Sequence, residues 1–129
     1  MKQINPSTMP TPRGYNNGML SFAGKILFVA GQIGWDENGN LENGLVAQFE
    51  RAIQNVLEVV RSAGAHPENI GRLTIYVKDK QEYQSCEKKI GEVYRKHMGK
   101  HFPAMSLLVV HDLLEPGALV EIEATAVMP

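Results

Sequence analysis

The chain has 129 residues, 43% of them hydrophobic and 21% charged, a size and balance that fit one globular domain spanning residues 1–129. A formal net charge of -1, with its Lys and Arg scattered rather than blocked, gives no broad attraction for nucleic acid or an anionic membrane. The lone Cys86 excludes an internal disulfide and suits a reducing, cytoplasmic compartment.

The opening stretch MKQINPSTMPTPRGYNNG reads as an irregular leader, because Pro6, Pro10 and Pro12 break any helix and no apolar core of a secretory signal is present. No apolar run in the chain approaches membrane-spanning length. The next stretch, MLSFAGKILFVAGQIGW, predicts two short strands, Met19 to Ala23 and Lys25 to Ala30, turned at Gly24 as a hairpin and closed by Gly31. Asp36 to Gly44 is a polar loop with two Asn/Gly turn signals. It delivers the chain into a helix, since Leu45, Phe49, Ala52, Ile53, Val56, Leu57 and Val60 recur at three-and-four spacing. Gly64 suits a left-handed C-cap.

Beyond it, Leu73, Ile75 and Val77 alternate with Arg72, Thr74 and Tyr76, the period of a strand. A second helix is predicted from Gln81 to Met98, ended by Gly99. Two strands close the chain, AMSLLVVHDLL and ALVEIEATAV, joined through an EPG turn. The order β-β-α-β-α-β-β predicts an α+β layer with both helices on one face of a mixed sheet. Its other face would carry Ser106, Leu108, Val110, Glu121, Glu123 and Thr125. That mixture is too apolar for free solvent and too polar for a core, so it suits a partly wet interface between copies of the chain, where ligand pockets are common.

Most chemical motifs are missing. There is no phosphate-binding G-x-x-x-x-G-K-[ST], no dinucleotide G-x-G-x-x-G, no H-E-x-x-H and no C-x-x-C. His97 and His101 have the spacing that lets two imidazoles meet one metal on a helix, but Gly99 interrupts them and no third ligand is near. His66 and His111 read as surface residues, and Cys86 as a small apolar group on the inner side of a helix. Ser21, Ser62 and Ser106 lack a nucleophile elbow. Trp35 and Asp36 read as loop anchors, with Trp35 also placed to cover a pocket.

The closing strand is the unusual one, because it carries Glu121 and Glu123 together on the face opposite Val120, Ile122 and Ala124. Either that face is simply wet, or a carboxylate lines a pocket. Four stretches coincide with one family pattern: GYNNG, FVAGQIG, FPAMSLLVV and the final VEIEATAV. Together they resemble the Rid family, the reactive intermediate deaminases also called the YjgF family.

The resemblance implies a chorismate mutase-like α+β fold and a homotrimer with small-molecule pockets between subunits. It implies hydrolysis of enamines and imines, such as 2-aminoacrylate, to 2-oxo acids and ammonia, without metal or organic cofactor. Glu121 matches the carboxylate that holds the attacking water, Tyr15 a pocket tyrosine, and Gly31 a backbone that touches substrate. The departures are equally informative. Met105 stands where deaminating members have an Arg that forks onto a substrate carboxylate, Ala30 where a serine is frequent, and Gly91 at or beside an asparagine position. The expected site is therefore larger and less polar, and closed to simple 2-imino acids. A replacement cation is sought among Arg13, Arg72, Lys100 and His101. The alternative is a non-catalytic small-molecule-binding or protein-protecting module on the same trimer. RNA cleavage, attached to some relatives, fits poorly with a chain that has no basic stripe.

Overall fold

The computed structural model describes residues 1–129. Its main sheet has four strands in the order β3-β6-β4-β5: β3 (Lys25–Ile33), β4 (Ile70–Val77), β5 (Ala104–Val109) and β6 (Val120–Met128). β6 runs antiparallel to both its neighbours, and β4 and β5 run parallel, so the sheet is mixed. Two helices, α1 (Leu45–Ser62) and α2 (Lys80–Met98), pack against each other, and α1 lies across β3 and β6.

The helices begin and end where local chemistry dictates. Asp79 caps α2 by accepting from the Glu82 amide at 3.0 Å. Gly64 and Gly99, at φ 81 and 63, turn the chain out of α1 and α2 in a conformation that disfavours any side chain. The apolar stripe of α1 is buried throughout: Phe49, Ala52, Ile53, Val56, Leu57 and Val60 meet Leu73, Ile75, Val77, Val120, Ile122 and Ala126 from the sheet. Alternation along β4 and β6 does the same work from the other side, each buried residue followed by a partly exposed one.

The opposite face of the sheet is open. Glu121, Glu123 and Thr125 share it with Tyr76, Thr74 and Arg72, their register partners on β4. Ser106 and Leu108 extend it on β5, while Val110 falls one residue past that strand. Ile26 and Phe28 extend it on β3 with 59% and 76% of their surface exposed.

The expected hairpin does not form. β3 pairs with β6, and the segment before it, β2 (Gly18–Leu20), pairs instead with β1 (Lys2–Ile4) inside the stretch read as an irregular leader. Gly24 is not a tight turn but a close approach, since a Cβ there would come within 2.0 Å of the Met128 carbonyl oxygen. The long partner strand outcompetes the local one: seven of the nine residues of β3 find partners along β6, where a two-strand ribbon alone is marginal.

Candidate functional site

Ala30 and Gly31 lie in an irregularity of β3. Val29 pairs with Ala124 and Gln32 with Ile122, so β3 spends one residue more than β6 between these points and Ala30 and Gly31 have no partner on it. A bulge of this kind frees backbone groups and re-aims side chains. Asn55 on α1 holds the far end of this segment, donating to the carbonyls of Ile33 and Trp35 at 3.1 and 2.9 Å. The Glu121 side chain lies directly over Gly31: a Cβ on Gly31 would fall 2.8 Å from the Glu121 carboxyl carbon and 3.0 Å from Oε2.

The two glutamates of β6 are not equivalent. Glu123 accepts from the Tyr76 hydroxyl at 2.7 Å, and that hydrogen bond, with burial and the charges of Glu123 and Glu121, pushes the Tyr76 phenol up. The Glu121 side chain, by contrast, makes no hydrogen bond or ion pair within the chain. Within one chain Glu121 therefore ties nothing together.

Met105 and Gly91 meet elsewhere. Between α2, β4 and β5 is a cavity of about 360 Å³, lined by Met105 and Gly91 together with Ile75, Tyr83, Tyr94 and Phe102 among others. Tyr94 stacks on Phe102 at 5.3 Å between ring centroids and donates its hydroxyl to the His101 carbonyl at 2.7 Å. Burial pushes the Tyr94 phenol well above its ordinary range and raises that of Tyr83, where the charge of Glu87 adds to the effect.

The loop carrying Tyr15 is fastened beside this cavity by a residue the sequence did not single out. Asn16, almost wholly buried, donates its amide to the Pro103 carbonyl at 3.0 Å and its side chain to the Phe102 carbonyl. Asn5 donates to Asn16 Oδ1 at 2.8 Å and accepts from the Asn17 amide at 2.8 Å. The GYNNG and FPAM stretches are thus hydrogen-bonded into one unit, which brings Arg13 and Gly14 onto the cavity wall.

Glu121 and Met105 do not meet within a chain. Met105 pairs with Leu73, on the helix side of the sheet, whereas Glu121 pairs with Tyr76, on the open side. They are on opposite faces, separated along β4 by about 10 Å at roughly 3.3 Å per residue. Trp35 is in neither group, lining a polar groove with Gln32, Asp36, Arg51 and Asn55. Asp36 closes the loop there by accepting from the amides of Asn38 and Asn40, and chiefly these backbone bonds lower its pKa.

The other sequence candidates are accounted for. His97 faces Glu50 at 3.2 Å and His101 faces the Ile70 carbonyl at 2.7 Å, so the two imidazoles diverge. Arg72 lies on the open face beside Phe28, Thr74 and Glu123. Of the four cations named as candidates, Arg13, Arg72, Lys100 and His101, only Arg13 reaches the Met105 cavity.

A family model described as endoribonuclease L-PSP matches residues 7–128. The chain belongs to the YjgF/Rid family. A Rid-family protein from Yersinia pestis has the same fold at a TM-score of 0.87, with 35% identity and 98% of each chain covered. A RutC family protein of Pyrococcus abyssi is 34% identical over 80% of this chain and 79% of its own. The human protein named 2-iminobutanoate/2-iminopropanoate deaminase is 30% identical over 80% of this chain and 73% of its own. The Rid fold accordingly accounts for the layer of two helices on a mixed sheet. No helix is long and apolar enough to cross a membrane.

Proposed function

We propose that this Rid protein hydrolyses an enamine or imine in a site completed by a second copy of the chain, in a cytoplasmic homotrimer. The observation that carries the proposal is the contrast between the twin glutamates: Glu123 is engaged by Tyr76, whereas Glu121 is uncommitted and lies over the side-chain-free backbone of Gly31. The half-site of Ala30, Gly31 and Glu121 opens on one face of the sheet, and that of Gly91 and Met105 lies on the other side, with the loop that carries Tyr15 fastened beside it. A neighbouring subunit that covers the open face brings the two halves together and buries Ile26, Phe28 and Leu108.

In this reading the unpaired backbone at Ala30 and Gly31 receives the imine, and Glu121 orients a water and takes its proton as the water oxygen bonds to the imine carbon. Glu121 then returns that proton to the nitrogen of the carbinolamine. Glu121 next takes the hydroxyl proton and passes it to the amine nitrogen as the carbon–nitrogen bond breaks, so ammonia leaves with the bonding pair and the oxygen becomes the carbonyl. One imine and one water give one carbonyl compound and one ammonia.

Met105 offers a thioether where a carboxylate beside the C=N bond would need a charge partner, and an unpaired buried carboxylate is costly. The preferred substrate is therefore not a simple 2-imino acid. The test is ammonia release from 2-iminopropionate, from 2-aminomuconate and from a wider imine panel. Glu121→Gln should reduce turnover about 100- to 10,000-fold, the range of a lost general base, with the fold intact. A variant that keeps its rate contradicts the assignment, and a wild-type protein that turns over no imine favours the binding module instead.

A further inference from the structure

We infer that Arg95, which no family motif marks, supplies the anion clamp that Met105 lacks, and that the substrate carries its carboxylate away from the C=N carbon. The inference rests on the reading of the Met105 cavity as the substrate half-site. Arg95 lies one helical turn beyond Gly91 on α2. A helical side chain leans toward the preceding turn, so Arg95 folds back across Gly91: its Nη1 lies 3.2 Å from where a Gly91 Cβ would be. The guanidinium takes up the space beside Gly91 that a side chain there would contest.

That guanidinium is free. The four ion pairs of the protein are Arg51–Glu42, Lys78–Asp112, Lys96–Glu50 and His97–Glu50, and neither Arg95 nor Arg13 is among them. Both arginines line the cavity, and Glu87 is the one carboxylate on its wall. Two positive charges against one negative leave that wall with an excess of one positive charge. The remaining lining is largely apolar, with Phe49 and Ile75 buried, Phe102 and Met105 half-buried, and both arginines exposed. An anion drawn to α2 at the mouth thus has hydrocarbon space between itself and the strand position where an Arg on β5 would have held it. A 2-imino acid, whose carboxylate adjoins the reacting carbon, cannot use both. An imine or enamine whose carboxylate is set off by an apolar segment can.

The experiment measures binding by calorimetry with three carbonyl compounds that mimic the product: 5-oxohexanoate, with a remote carboxylate; 2-oxobutanoate, with an adjacent one; and uncharged 2-hexanone. Wild-type protein should bind 5-oxohexanoate most tightly. Arg95→Gln should weaken that binding roughly ten- to a hundred-fold, the worth of a charge-assisted hydrogen bond, and leave 2-hexanone unchanged. Arg95→Lys should recover part of the loss, because the charge remains and the planar fork does not. The clamp is refuted if Arg95→Gln binds 5-oxohexanoate like wild type, if 2-oxobutanoate binds best, or if wild type binds none of the three. Because the readout needs no turnover, the two proposals fail separately. Arg95-dependent binding without ammonia release from any imine removes the hydrolase and keeps the clamp, and hydrolysis indifferent to Arg95 does the reverse.

Discussion

The two faces of the main sheet are made by alternate residues of the same strands, yet they are finished differently. On one face Leu73, Ile75, Val77, Val120 and Ile122 are sealed under α1 and α2 with almost no exposed surface. On the other, Phe28, Ile26 and Leu108 stand out beside Tyr76, Glu121 and Glu123, with exposure of 76%, 59% and 44% for the three apolar side chains. The covered face makes the chain fold. The open face exposes apolar side chains at both edges, Ile26 and Phe28 on β3 and Leu108 on β5, with the polar residues of β6 and β4 between them, a pattern that suits contact with another surface. The division also separates the candidate site residues, with Met105 and Gly91 on the helix side and Glu121 on the open side.

The sharpest way to break this comparison is to make the same change on each face. Phe49→Ala, on α1 where it packs against the covered face, should cost about 3–5 kcal/mol of unfolding free energy. Phe28→Ala on the open face should cost the fold of a single chain under about 1 kcal/mol while weakening association. Equal losses in the two denaturation curves, measured where the protein is dissociated, would mean the faces do not differ as described.

A smaller effect is expected where the GYNNG and FPAM stretches are tethered to each other. Asn16→Ala leaves the Phe102 carbonyl without its partner and should lower stability by about 1–3 kcal/mol. It should also raise KM more than it lowers kcat, since Tyr15 and Arg13 lose their fastening to the cavity wall. An unchanged KM would show that the loop needs no tether.

The smallest effect lies on the helix layer. Glu50 accepts from Lys96 and faces His97, and chiefly these hydrogen bonds hold its pKa below the ordinary 4.5. A depressed carboxylate pKa means that the stabilisation is complete above the unfolded value and is lost as pH falls through the folded one. Exposed pairs of this kind contribute about 0.2–1 kcal/mol. Glu50→Gln should therefore flatten the acid side of the stability profile slightly and leave neutral-pH activity unchanged; a large activity loss would place this cluster in the site.

Much of the fold was legible because it follows from periodicity. The three-and-four spacing of α1 and the alternation of β4 and β6 each describe a face, and the faces are where they were expected. Strand pairing was not legible to the same degree: a turn at Gly24 looks like a hairpin locally, and only the distant β6 explains why β3 turns away from β2. The three residues of β1 carry almost no pattern of their own. In the site, the role of Asn16 was hidden inside a matched motif whose tyrosine drew attention. Arg95 escaped because nothing in its identity marks it; the clue was positional, an Arg four residues after a helical Gly, a spacing at which the long side chain lies over the gap.

The central claim is that the open face is covered by other copies of the chain. Sedimentation equilibrium at micromolar concentration tests it directly. The account predicts a species three times the 14.3 kDa mass of the chain, which Phe28→Ala shifts toward lighter forms. A single 14.3 kDa species in both proteins would leave Glu121 facing bulk water and contradict the shared site.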